Sequence, residues 1–332
     1  MPLPFLVAGA VIAAGVGIKK AADAKKDYSK AKSINSEARR IYNDAEQMLM
    51  DARSKTTVSL EELGKLKLNV WNEQMGEFVQ TFSKIRHVDF SGEITTGKIH
   101  TDNKKELALM KNISLKASEV VMGGFTALGS GALAGIASYG GTMMFASAST
   151  GTAISALSGA AATNATLAWL GGGSLAAGGL GIAGGTAVLG GIVAGPVLAV
   201  GGMILAAKAR ESLANARENL SEAKVAVQEM KQASSVLNAI ENVADEFSNV
   251  IKSLSKKMIF SLSKLTYVVE QFGLDYKKYD KYQKQVVYEA WTFAETMKLL
   301  LETPLLNQQG SLSGHYQKAL DVGYELLMKP AK

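Results

Sequence analysis

LANARENLSEAKVAVQEMKQASSVLNAIENVADEFSNVIKSLSKKMIFSLSKL, residues 213–265, decides the fold class. Apolar or small residues recur at Leu213, Ala216, Leu220, Ala223, Val227, Met230, Ser234 and Leu237. After one slip they continue at Ile240, Val243, Phe247, Ile251, Leu254, Met258, Leu262 and Leu265. Spacings of three and four place these positions on one stripe of a helix, the seam of a coiled coil. Unbroken from Lys208 to Phe272, such a helix reaches about 98 Å, a pattern that predicts an elongated bundle. A second seam is expected earlier, at Ala21, Ala24, Tyr28, Ala31, Ile34, Ala38, Ile41, Ala45, Met48 and Ala52. A new helix is then expected after Ser59, ending near Arg86. Beyond 265 the chain should turn near Gly273, form a helix up to Pro304, and close with one from His315 to Lys329. With only five prolines in 332 residues, the chain outside its glycine tract reads as all-α.

Between the seams lies a stretch of different chemistry. No Asp, Glu, Lys, Arg or His occurs between Glu119 and Lys208, and 22 of the 33 glycines fall in these 88 residues. At its centre GGSLAAGGLGIAGGTAVLGG (172–191) repeats a Gly-Gly pair every six residues. A flexible linker would be polar, yet the tract carries Leu, Ile, Val, Met, Phe and Trp throughout. A hexapeptide solenoid needs more repeats than the four or so present. Helical spacing is more consistent. Gly123, Ala127, Gly131 and Gly135 form one ridge of small residues, and Ala183, Ala187, Gly191, Gly195 and Ala199 a second. Such ridges let helix backbones meet closely in lipid. We therefore expect a Gly/Ala-rich transmembrane-type hairpin over 119–207, its first helix spanning 120–146 and its return kinked at Pro196. Lys208 and Arg210 on one flank, with Lys111 and Lys116 on the other, favour both ends on the same side. Trp169 reads as an interface anchor or an ordinary packed tryptophan. Because Gly, Ala, Ser and Thr dominate, lipid affinity is modest and insertion is expected to be conditional.

The N-terminal stretch 1–18 is apolar, and Lys19 and Lys20 follow it as interface anchors. Its basic pair stands on the side opposite to that of a secretory signal. It reads as an amphipathic or half-inserted helix, or as a buried helix of a soluble fold. The expected organisation is thus an apolar helix (1–18), a charged helical region (19–118) with a small hairpin or loop near 87–100, the uncharged hairpin (119–207), and a long coiled-coil helix with C-terminal helices (208–332).

Catalytic chemistry finds no foothold in the pattern. GEITTGKI (92–99) has the outline of a phosphate loop, but Ile99 replaces the residue that would hold magnesium. His87, His100 and His315 are isolated, there is no cysteine, and carboxylates interleave with lysines as on solvated helix faces. No catalytic, cofactor-binding or metal residues are assigned, and the chain is not read as an enzyme. KKAADAKKDYSKAK (19–32) is diluted by acidic residues, and its place after an apolar segment fits lipid headgroups better than nucleic acid.

Long charged helices flanking an apolar central element resemble the α-helical pore-forming toxins of the haemolysin E and tripartite-toxin type, in plan over most of the chain. The glycine ridges are also similar to those of bacterial glycine-zipper two-span membrane proteins. The toxin resemblance implies an elongated bundle whose apolar element inserts while protomers assemble into a ring. The expected function is an oligomeric, membrane-associated helical protein that permeabilises a bilayer, soluble in the cytoplasm or secreted before insertion. Its expected partners are the lipid bilayer, copies of itself through the coiled-coil helices, and a further helical protein, with no nucleic acid and no cofactor. The alternative is a membrane-anchored coiled-coil scaffold without pore activity.

Overall fold

The computed structural model describes residues 16–90, 103–124, 130–139, 213–307 and 311–329. Their seven α-helices are α1 (Val16–Asn72), α2 (Gln74–Phe82), α3 (Asn103–Met122), α4 (Ser130–Tyr139), α5 (Leu213–Phe272), α6 (Lys281–Glu302) and α7 (Tyr316–Met328). A short 3-10 turn (Tyr276–Lys278) joins α5 to α6, and no β-strand occurs among the described residues. The described chain is all-α. It divides into two compact units, Met1–Met50 with Gly195–Ser234, and Asp51–Ala194 with Ser235–Lys332.

In the first unit the seams are built from small residues. Ala31, Ala38 and Ala45 on α1 are buried at seven-residue intervals, as are Ala216, Ala223 and Met230 on α5. Alanine at these positions permits close approach of helix backbones. Asn219 donates a side-chain hydrogen bond to Asn35 at 3.1 Å, a half-buried polar pair between the alanine positions of the two helices. The expected seam of α1 holds at Ala31, Ala38, Ala45 and Ala52, and its alternate positions are shifted by one residue. Tyr42 and Leu49 are buried, whereas Tyr28 and Met48 are exposed and Ile34 and Ile41 are half-buried.

In the second unit the α5 seam buries Leu237, Ile240, Val243, Phe247, Ile251, Leu254, Met258, Leu262 and Leu265, as its spacing predicts. The core is completed by Trp71, Phe78, Phe82 and Trp291, with Phe82 and Trp291 ring centroids 5.0 Å apart. Phe90 packs edge-on against Tyr276 and Tyr288. The break expected at Ser59 is absent: α1 continues to Asn72. The hydroxyl of Thr56, buried in the seam, donates to the carbonyls of Ala52 and Leu237. The β-branched run 56–58 is thereby held helical against its weak propensity. At the other end of the unit Gly273, with φ +84, terminates α5. Asp280 and Gln283 form a reciprocal capping box that starts α6. Pro304, just past the C-cap Thr303, stops it.

The expected helix over 120–146 is interrupted. α3 ends at Met122, Gly124 adopts φ +81, and α4 begins at Ser130. Gly123 therefore sits beyond the end of α3, while Gly131 and Gly135 lie on the separate helix α4. A tract of small apolar residues carries little phase information, so a glycine in a left-handed conformation can end a helix without violating any pattern. No helix among the described residues is long and apolar enough to cross a membrane.

Candidate functional site

Within the second unit α4, a described segment of the uncharged tract, meets α1 at two residues. Leu60, Gly64, Lys67 and Trp71 recur at four, three and four residues and share one helix face. At Gly64 an added Cβ would lie 2.1 Å from the carbonyl oxygen of Leu133. The backbones of α1 and α4 thus meet with no room for any side chain, and only glycine fits. Leu133, Ala134, Ile136, Ala137 and Ser138 of α4 are all buried. The Ser138 carbonyl accepts a hydrogen bond from the Leu306 amide at 2.9 Å.

One turn along the same face stands Lys67, 1 % exposed. Its Nζ donates to the Ala137 carbonyl at 3.4 Å and to the Thr303 carbonyl at 3.2 Å. It also lies 5.6 Å from the centroid of the Phe247 ring. Ala137 belongs to the last turn of α4, and Thr303 is the C-cap of α6. The last carbonyls of a helix have no partner within it, and they carry the negative end of its dipole. A single lysine therefore caps two helix ends at once and ties the apolar segment to the bundle. No carboxylate forms an ion pair with it among the described residues. Burial lowers its pKa to about 7, because a buried ammonium loses its hydration. Near neutral pH this clamp thus exchanges between a charged and an uncharged donor.

A second feature is a groove of about 360 Å³ lined by Glu106, Glu295, Lys298, Glu302, Leu299, Thr303 and Pro304. Lys298 reaches Glu302 at 2.9 Å and Glu106 at 3.3 Å. Burial acts to lower its pKa, but the bonds and charges of Glu302 and Glu106 outweigh it and hold the ammonium above its usual range. The groove is a satisfied ion-pair network joining α3 and α6. His87, at φ +60, approaches Asp275 at 2.9 Å and holds that carboxyl below the usual range. No group of three or more metal-ligating side chains occurs among the described residues.

Of the residues singled out from the pattern, only Gly135 falls at this site as a described, buried position. Gly131 is on α4, and Gly123 follows α3. Lys19 and Lys20 lie on α1, though their side chains are outside the described residues. Ala127, Trp169, Ala183, Ala187, Gly191, Gly195, Ala199, Lys208 and Arg210 all lie outside the described residues, as do 1–15 and most of the hairpin expected near 87–100. Gly64 and Lys67 were not legible as a site. The available signal was a lysine at a seam position in LGKLKLNVW (63–71), four residues after Leu63. Compared with protein families, curated proteins and solved structures, the chain matches none.

Proposed function

We propose that the chain is a membrane-permeabilising helical protein whose uncharged tract, 119–207, leaves the bundle, enters a bilayer as a helical hairpin, and assembles with copies of itself. The observation that carries this reading is the seating of α4. A segment of the 88-residue uncharged tract is held by a backbone contact at Gly64, by one buried lysine that joins its last turn to the end of α6, by the Leu306 amide on the Ser138 carbonyl, and by apolar burial. Such an attachment is specific, and releasing α4 also takes Leu133, Ala134, Ile136 and Ala137 out of the core, so a bilayer or a second copy must supply apolar contacts in exchange. The Lys67 bonds are long, and the ammonium regains its hydration when α4 departs. Glycine-rich helices pack well against one another in lipid, so the released segment has an alternative partner in a second copy of itself.

The test is release of entrapped dyes from lipid vesicles. A pore passes small dyes and retains large dextrans, and Gly131→Leu with Gly135→Leu abolishes the leakage by blocking helix contact. Retained size-limited leakage in that double variant refutes the helix-packing assignment. The heptads of α1 and α5 favour a second reading, a coiled-coil scaffold on the membrane. Vesicle binding without leakage by the unaltered protein would replace the first reading with this one.

A further inference from the structure

The stretch 252–284, from the last third of α5 through the turn into α6, contains eight lysines and three acidic residues, a net +5 in a chain whose total is +6. The other lysine-rich stretch, 19–32, has one large apolar side chain exposed among its described residues, Tyr28. The 252–284 stretch exposes six: Ile259, Phe260, Tyr267, Phe272, Leu274 and Tyr282. Tyr267 is 60 % and Tyr282 65 % exposed, more than any other large apolar residue among the described ones outside the ends at Met122 and Met328. Core demand does not explain them, since the buried seam of α5 runs along its other face through Leu254, Met258, Leu262 and Leu265. The exposed face reads Lys252, Lys256, Phe260, Ser263 and Tyr267 at helical spacing. Lys264 stands over the Phe260 ring at 4.7 Å, and Tyr267 packs edge-on against Phe272. Lys277, Lys278 and Lys281 are exposed around the following turn.

Tyrosine and phenylalanine interleaved with lysine is the composition that suits the headgroup layer of a bilayer. The rings sit at the acyl boundary, lysine stems lie along apolar surface, and ammonium groups meet lipid phosphates. Charge sets the partner: each lysine at an anionic leaflet strengthens attachment, whereas a neutral leaflet gives nothing back. We propose that the surface formed by α5 beyond Lys252 and the α5–α6 turn docks the protein onto an anionic lipid bilayer before its apolar tract moves. This inference rests on the membrane reading above and adds to it a landing surface remote in sequence from the inserting segment.

The full-length protein is titrated with vesicles of phosphatidylcholine alone and of phosphatidylcholine with phosphatidylserine, and bound protein is measured by co-sedimentation. Binding is expected only with phosphatidylserine, and it weakens as salt rises. Lys256→Gln, Lys277→Gln and Lys278→Gln together lower the affinity about a hundredfold, roughly fivefold for each charge. Phe260→Ser with Tyr267→Ser lowers it about tenfold while the charge is unchanged. Removing three lysines elsewhere, at Lys224, Lys231 and Lys318, leaves it within about twofold. Equal binding to both vesicle types, or unchanged binding by both surface variants, overturns the proposal. Leakage by the unaltered protein alongside undiminished binding of the variants removes this surface and leaves the pore reading standing. Binding lost in the variants, with no leakage from the unaltered protein, supports the surface and removes the pore.

Discussion

Lys67→Met replaces the buried amine by an apolar side chain of similar length. In the unfolded chain the lysine titrates near 10.5, whereas in the folded protein burial brings it to about 7. Each pKa unit is worth 1.36 kcal/mol, so the difference amounts to about 5 kcal/mol of destabilisation below pH 7 and about 4 kcal/mol at pH 7. The unfolded state binds more protons than the folded state between pH 7 and 10.5, so stability rises with pH through that window. Below pH 7 the penalty is present in full and this group adds no further slope. Methionine carries no such penalty, but it leaves the Ala137 and Thr303 carbonyls without their long hydrogen bonds, at about 1 kcal/mol each. Lys67→Met is therefore expected to be more stable than the native sequence by about 2 kcal/mol at pH 7. Urea unfolding at pH 6 and pH 9 reads the rest. This lysine makes the native chain about 3 kcal/mol less stable at the lower pH, and the variant loses that component. The same change should slow vesicle leakage, because the departure of α4 no longer lets a buried ammonium on α1 regain its hydration. A variant that is less stable than the native chain at pH 7, with the native pH slope intact, would refute the reasoning.

Gly64→Ala drives a methyl group into the Leu133 carbonyl. It should cost about 1–3 kcal/mol despite alanine's better helix propensity, with amide exchange accelerated over 130–139 while α6 stays protected. Protection unchanged in α4 would mean that the two backbones are not in contact. In the first unit, Asn35→Leu leaves Asn219 unpartnered and should lower stability by about 1 kcal/mol. Asn35→Leu with Asn219→Leu should recover it, at the expense of pairing register. Strictly additive effects in that double-mutant cycle would show that the pair does not couple.

How far the fold could be read follows from where phase information resides. The α5 stripe is legible because apolar side chains alternate with charges, so Ala216, Ala223, Met230 and Leu237, and then Ile251, Met258 and Leu265, have one possible inward face; the structure bridges the slip between them with buried Ala244. On α1 the alanines at 31, 38, 45 and 52 were legible in the same way. Their partners were not, because Ile41 and Tyr42, and Met48 and Leu49, are adjacent apolar pairs either of which completes a heptad. The structure buries Tyr42 and Leu49. In the uncharged tract nothing polar marks an outer face, so the end of α3 at Gly124 and the separate α4 had no local signal beyond glycine itself. Lys67 was opaque for another reason. Its burial depends on the ends of α4 and α6, which lie 70 and 236 residues away in sequence. A lysine at a seam position reads locally as an interruption, and only those two carbonyls make it a clamp.

The central claim, that the uncharged tract leaves its seat to permeabilise a bilayer, is tested most directly by vesicle leakage with probes of graded size. Phosphatidylserine-containing vesicles loaded with a small fluorophore and a large dextran should release the first and retain the second. Lys67→Met should slow that release and Gly131→Leu with Gly135→Leu should abolish it. Vesicles that bind the protein and retain both probes would contradict the account.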